Sequence, residues 1–125
     1  MNLSEIITAF LNACDACTKD HAYYYEVVGN CDKATTDFLH TIELDKLSYT
    51  ERAKLTTVEK ANLRKRRKAK NAVELNEPLI KYLELPESQR ALNLLRQTLG
   101  EIRKVEKYHA SRTYTKRSWT NESHG

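Results

Sequence analysis

The stretch LSEIITAFLNACDACTKDHAYYYEVVGNCDKATTDFLHTI, residues 3–42, decides the fold. Its apolar, aromatic or small side chains recur at alternating intervals of four and three residues, the a/d pattern of a heptad repeat sustained over roughly five heptads. These seam positions are Leu3, Ile7, Phe10, Cys14, Cys17, His21, Tyr24, Val28, Cys31, Thr35, Phe38 and Ile42. Because one helix cannot bury so long a stripe by itself, the stretch predicts a long helix, capped by Ser4, that packs against a partner helix.

A second helix is predicted after this stretch. Ser48 stands three residues before Glu51, which is the spacing of a capping box at a helix start. We expect the helix to cover residues 49–75, to be kinked at Pro78, where proline removes a backbone hydrogen bond, and to continue to Leu83.

The third helix is expected to begin near Pro86, since proline is favoured in a first turn, and to run to about Tyr108. Its apolar stripe comprises Leu92, Leu95, Leu99, Ile102 and either Val105 or Glu106. Residues 111–119 are rich in threonine and aromatic side chains, which favours a short extended or β segment, and residues 120–125 are expected to be disordered. The predicted fold is therefore mainly α, with long antiparallel helices in a single domain over residues 1–119.

The composition agrees with long solvated helices. The 125 residues include 3 Gly and 2 Pro, whereas average usage predicts about 15 of the two together, so sandwiches and barrels are disfavoured. No apolar run approaches the roughly 20 residues of a membrane span, and the N-terminus lacks the pattern of a secretory signal. With an odd number of cysteines, three, we expect reduced thiols in a cytoplasm.

Charge is divided unevenly along the chain. Residues 1–47 hold 8 acidic and 3 basic side chains, and residues 48–125 hold 9 acidic and 18 basic ones. This asymmetry predicts that the C-terminal part meets a polyanion or a phosphate, or that oppositely charged parts meet between subunits. The run RKRRKAK at residues 64–70 is either a solvated helix surface or a phosphate-binding face.

No catalytic or metal-binding constellation is present in the sequence. It has no P-loop, GxGxxG, HExxH or GxSxG motif, and no pair of carboxylates in an apolar context, so we expect neither enzyme activity nor a cofactor. Cys14 and Cys17 form a CxxC pair, but they lie on the seam with His21 and Cys31, and no second pair completes a tetrahedral zinc set. We interpret them as packing residues and expect no metal.

The remaining chemical signal is a set of cations interleaved with aromatic rings. The cations are Arg64, Arg67, Arg96, Arg103, Lys107 and Arg112, and the rings are Tyr82, Tyr108, Tyr114 and Trp119. Guanidinium groups bind phosphate bidentately, and rings stack on bases. This inventory suits a nucleotide, a cyclic oligonucleotide or single-stranded nucleic acid.

Five segments resemble a family of small phage proteins, the first type of Thoeris anti-defence protein. They are TDFLHTIEL at 36–44, LSYTERAK at 47–54, RKRRKAK at 64–70, EPL at 77–79 and GEIRKVEKYH at 100–109. The resemblance spans about residues 1–115. It implies a sponge in the cytoplasm of the infected bacterial host, which binds the glyco-cyclic ADP-ribose signal of bacterial TIR-domain proteins without cleaving it.

The resemblance also implies the assembly and the partners. Members are homo-oligomers in which dimers assemble into hexamers, with ligand pockets at subunit boundaries and separate sites for the cyclic di- and trinucleotides of CBASS immunity. No membrane and no stable nucleic-acid partner are expected.

Ligand-binding residues follow from the same resemblance. Tyr82 matches the ring that stacks on the adenine, and Asn93 matches an amide that reads the base. Arg112 is the best match to the arginines that hold the pyrophosphate, and Arg103 and Lys107 are further candidates. The residues expected beside Arg112 are Thr113 and Tyr114.

Charge alone points to Arg64 and Arg67 for a second site, and two other functions stay open at this point. A nucleic-acid-binding phage protein or CRISPR inhibitor would use the basic helix face of residues 64–70, with binding that falls steeply as salt rises. A coiled-coil adaptor would use the seam to bind a foreign helix and would bind neither ligand.

Overall fold

The computed structural model describes residues 1–113 as three α-helices. They are α1 over Leu3–Leu44, α2 over Tyr49–Glu84 and α3 over Pro86–Ser111. Residues 1–113 contain no strand, which confirms the mainly α prediction over this part of the chain. At 1.5 Å per residue, α1 is about 63 Å long and α2 about 54 Å long.

The helix starts are set by side-chain caps. Asn2, and not Ser4, caps α1, because its Oδ1 accepts a hydrogen bond of 2.9 Å from the backbone N–H of Glu5. Ser4 lies inside the first turn, where its hydroxyl donates to the same Asn2 oxygen. The predicted cap of α2 is confirmed, because the N–H of Glu51 donates to Ser48 Oγ at 3.2 Å.

The prediction that α2 continues past Pro78 to about Leu83 is confirmed, because the helix runs through the proline to Glu84. Beyond the proline, Leu83 is buried against Leu11 and Cys14 of α1. This packing favours continuation of the helix over a break at the missing backbone hydrogen bond.

The predicted C-terminal elements lie largely outside the described residues. Ser111 is the last residue of α3, so the third helix is three residues longer than predicted and the expected extended segment cannot begin there. Arg112 has extended backbone angles, φ −68° and ψ 131°. Tyr114, most of the 111–119 segment and residues 120–125 are not among the residues that the structure describes.

The first two helices lie antiparallel, since residue numbers fall along α1 as they rise along α2. Contacting pairs are Thr35 with Glu59, Cys31 with Asn62, and Cys17 with Asn76. The seam prediction holds from Cys14 to Phe38, where the predicted positions are buried or half-buried.

At both ends of α1 the seam prediction fails in part, although Ile7 is half-buried against the apolar core. Leu3, Phe10 and Ile42 are 55%, 45% and 37% exposed. The inward positions there are taken by neighbouring residues, namely Ser4, Leu11 and Thr41. At its N-terminal end α1 packs against α3 as well as α2, so the inward direction there differs from that at the centre of the seam.

A polar network crosses the α1–α2 seam at the buried side chain of Glu59, which is 8% exposed. Thr35 Oγ1 donates to one carboxylate oxygen at 2.7 Å, and Asn62 Nδ2 donates to the other at 3.0 Å. Asn62 Nδ2 also donates to the carbonyl of Cys31 at 2.9 Å. One turn further along α2, Arg66 Nε donates to Asp32 Oδ1 at 2.7 Å.

The third helix runs along the N-terminal third of α1. The N–H of Ser4 donates to Glu106 Oε2 at 3.3 Å, and Arg103 Nη2 donates to Thr8 Oγ1 at 3.1 Å. A small apolar core lies where the three helices meet, formed by Leu11, Cys14, Leu83, Leu92 and Leu99. None of the helices in residues 1–113 combines the length and the apolar character needed to cross a membrane.

We predict that Asn62→Ala lowers the free energy of unfolding by about 1–3 kcal/mol, because it leaves the buried Glu59 carboxylate with one donor fewer. Asn71→Ala on the exposed face of α2 is the matched control, since both changes bring the same gain in helix propensity. Urea unfolding followed by circular dichroism measures the difference. Equal stability of the two variants would contradict a structural role for the network.

Candidate functional site

Two of the residues assigned by the resemblance lie near the junction of α2 and α3. Tyr82 is in the last turn of α2, and its side chain is 53% exposed. Asn93 is exposed on α3, where its Oδ1 accepts a hydrogen bond of 2.9 Å from Arg96 Nη1. A ring and an amide are therefore available to a ligand at this junction.

The assigned cations lie near the other end of α3. Arg103 and Lys107 are exposed, and the guanidinium of Arg112 lies 5.9 Å from the centroid of the Tyr108 ring. This is within the range of a cation–π contact. Thr113 is exposed beside Arg112, and Tyr114 lies outside the described residues.

One chain does not bring the two groups together. Arg103 is ten residues from Asn93 on α3, about 15 Å along the helix axis, whereas Ser111, which precedes Arg112, is eighteen residues away, about 27 Å. The separation from Asn93 to Arg112 is large for a single cyclic nucleotide. It favours a ligand held between two subunits, if one ligand contacts both residues.

The structure distinguishes the two second-site candidates, because only one of them lines a groove. Arg64 and Arg67 are both exposed on α2, but only Arg64 lines a groove between α1 and α2. The groove has a volume of about 500 Å³. Its lining residues are Tyr23, Tyr24, Val27, Ala61, Arg64, Lys65, Lys68, Ala69 and Ala72.

Sequence reasoning missed the aromatic half of this groove. Tyr24 was interpreted only as a seam position, and its neighbour Tyr23 was not singled out. The two rings pack edge to face, with centroids 5.0 Å apart and planes at 74°. The aromatic side of the groove could have been predicted from the antiparallel pairing of α1 and α2, because that pairing places the two tyrosines opposite the alanines and lysines of α2.

The three cysteines are buried, reduced packing residues in the structure. Within residues 1–113, no three His, Cys, Asp or Glu side chains come together as metal ligands would. Burial raises the pKa of the Cys17 thiol above its ordinary value of 9.0, and nearby Cys14 and Asp20 raise this pKa further. The Cys17 Sγ lies 3.7 Å from the carbonyl oxygen of Asn76, which it contacts as a weak donor.

A scan against models of known protein families, a search of curated proteins and a search of solved structures find no match to this chain. What the chain does must therefore be inferred from the chemistry of its residues.

We predict that Cys17 reacts with iodoacetamide at about pH 8 at least about tenfold more slowly in the folded protein than in urea, because the reactive species is the thiolate and burial disfavours it. Peptide mapping by mass spectrometry measures the rate at this thiol. An Ala13→Cys variant supplies an exposed thiol on the same helix as the control. Equal rates at Cys17 and at the added thiol would contradict the burial of Cys17.

Proposed function

We propose that this chain is a phage anti-defence protein that sequesters glyco-cyclic ADP-ribose and does not cleave it. The observation that carries the proposal is the pair of exposed groups on α2 and α3. One group, Tyr82 and Asn93, can stack on and hydrogen-bond a base, and the other, centred on Arg112, can bind a pyrophosphate.

The separation of the two groups supports a pocket between subunits. About 27 Å of helix lies between Asn93 and Ser111, beside Arg112, so we propose that the base-binding group of one subunit and Arg112 of another close around one ligand. In a symmetric dimer each subunit contributes both halves, and two equivalent pockets form. The proposed assembly is a homo-oligomer of dimers, up to a hexamer, in the cytoplasm of the infected host.

A site that sequesters a ligand needs fewer functional groups than a catalytic site. It needs tight binding of the ground state and no complementarity to a transition state, so no general acid or base is required. The outcome is then set by mass action, because the protein must exceed the signal in concentration and bind it more tightly than the effector does. Sites for cyclic di- and trinucleotides are part of the same proposal, with Arg64 and Arg67 as their candidate residues.

Calorimetric titration with glyco-cyclic ADP-ribose tests the proposal, followed by heat denaturation and chromatography of the released ligand. Tight binding and recovery of intact ligand are the expected results. Recovery of an altered ligand would contradict sequestration, because it would identify a hydrolase. Absence of binding would contradict the proposal altogether.

The basic face of α2 supports a second candidate function, nucleic-acid binding. Arg64, Lys65, Arg67 and Lys68 are all exposed, so the charge of the 64–70 run is available to a phosphate backbone. Binding through such a face loses affinity steeply between about 50 and 200 mM salt. Binding of a small ligand in a pocket is much less sensitive to salt, so a salt titration separates the two functions.

We predict that Tyr82→Ala and Arg112→Ala each abolish binding of glyco-cyclic ADP-ribose, and that a mixture of the two variants recovers about a quarter of the sites. In a mixed dimer one pocket carries both changes and the other carries neither, and mixed dimers are about half of a random population. Co-expression followed by calorimetry measures the number of active sites.

Tyr25→Ala mixed with Arg52→Ala is the matched control for the mixing experiment, since both positions are exposed and lie outside the assigned groups. Each control variant alone is expected to keep full binding. No recovery on mixing Tyr82→Ala with Arg112→Ala would contradict a pocket shared between subunits.

A further inference from the structure

We propose that the groove between α1 and α2 is a separate binding site for a free nucleotide. The base would stack on the Tyr23–Tyr24 pair, and the phosphates would bind Arg64, Lys65 and Lys68. The site lies within one chain. It shares Arg64 with the candidate site for cyclic di- and trinucleotides, and it does not depend on the proposed binding of glyco-cyclic ADP-ribose.

The shape of the groove comes from small side chains on α2. Ala61, Ala69 and Ala72 face the tyrosines of α1, and Ala69 is only 2% exposed. Larger residues at these positions would fill the space between the helices. The resulting volume of about 500 Å³ is within the range of small-molecule sites, about 300–1,000 Å³.

An aromatic surface borders one side of the groove. The Tyr23 ring is 60% exposed and packs edge to face against Tyr24, which is half-buried. The contact with Tyr24 orients the Tyr23 ring, and its exposed surface is open to a planar ligand. Stacking of one base on such a ring contributes about 1–3 kcal/mol and is tolerant of base identity.

Cations without carboxylate partners border the other side. Within the described chain, Arg64, Lys65 and Lys68 form no salt bridge, whereas Arg66 on the seam is paired with Asp32. Arg64 and Lys68 are four residues apart on one helix face, where like charges repel by about 0.2–0.5 kcal/mol. A bound phosphate would replace this repulsion with attraction, and none of the nine lining residues is acidic.

The combination selects the class of ligand. A bare anion would contact only the cations, and a neutral aromatic molecule would contact only the tyrosines. A nucleoside phosphate uses both, with its base and phosphates separated by a ribose. The groove has room for one such molecule, which favours a free nucleotide over a strand of nucleic acid.

The groove is distinct from the residues assigned to glyco-cyclic ADP-ribose. Lys68 and Tyr82 are fourteen residues apart on α2, about 21 Å along its axis. Changes in the groove therefore leave the Tyr82 and Asn93 group untouched.

Calorimetric titration of the full chain with ATP, AMP, adenosine and inorganic phosphate tests the proposal. We expect ATP to bind more tightly than AMP, and both to bind more tightly than adenosine or phosphate alone. Tyr23→Ala and Lys68→Gln are each expected to weaken ATP binding at least about tenfold, because each removes one half of the recognition.

The chain offers a matched control for each variant. Tyr25→Ala removes a ring two residues from Tyr23, and Arg67→Gln removes a cation adjacent to Lys68, yet neither residue lines the groove. Both are expected to change ATP affinity less than about twofold. Tyr23→Leu keeps the bulk of the side chain without an aromatic face, so its loss of binding separates stacking from folding, and circular dichroism verifies that each variant is helical.

Four outcomes would contradict the proposal. Phosphate that binds as tightly as ATP would identify a simple anion patch. A twelve-nucleotide single strand that binds more tightly than ATP, with a steep salt dependence, would assign the groove to nucleic acid. Failure of ATP to bind at millimolar concentration would exclude a nucleotide site. Loss of glyco-cyclic ADP-ribose binding in Tyr23→Ala would contradict the existence of two separate sites, whereas retention of that binding with loss of ATP would support it.

Discussion

The buried carboxylate of Glu59 constrains how the two long helices can pair. Removing a carboxylate from water is costly unless donors replace the lost hydration, and here Thr35 and Asn62 supply them from the two sides of the seam. Large side chains such as Phe38 and Leu55 also lie along the contact surface. A shift by a heptad would separate Glu59 from Thr35 and leave the buried carboxylate without that donor. The polar network therefore favours the observed register.

That register determines which residues meet across the hairpin. The pairing of Cys31 with Asn62 and of Cys17 with Asn76 places the tyrosines between them opposite Ala69 and Ala72. The basic run of α2 then borders an aromatic surface of α1. A cation cluster that would otherwise be only a solvated helix face thus becomes one wall of a groove.

The periodicity of the sequence was sufficient to predict the three helices and the inward face of the centre of α1. It was not sufficient at the ends, where Leu3, Phe10 and Ile42 are exposed and the neighbouring residues point inward. The continuation of α2 past Pro78 was also predicted, and beyond the proline Leu83 packs in the apolar core. The groove could not be predicted from either helix alone, because its two walls belong to different helices.

The resemblance assigned Tyr82, Asn93 and Arg112 to the candidate site, and that assignment stays a prediction. The predicted third helix already placed Asn93 far from Arg112, and the structure extends that helix to Ser111. What the sequence could not supply is which side chains of different helices, or of different subunits, come together around a ligand.

Large apolar side chains exposed near the ends of α1 and α3 bear on whether two copies of the chain contact each other. Ile6 and Val105 are about half exposed, and an apolar pocket lined by Leu3, Ile102 and Val105 lies between α1 and α3. Exposed apolar surface of this kind is typical of contacts with another chain. Such contacts could bring α3 of one subunit to α2 of the next. A ligand held between the subunits would then stabilise the assembly, and assembly would strengthen ligand binding by the same coupling free energy. The groove inside the hairpin has no such linkage, because both of its walls belong to one chain. The two sites would therefore respond differently to dilution: the affinity of the shared pocket would fall as the subunits separate, and that of the groove would stay constant.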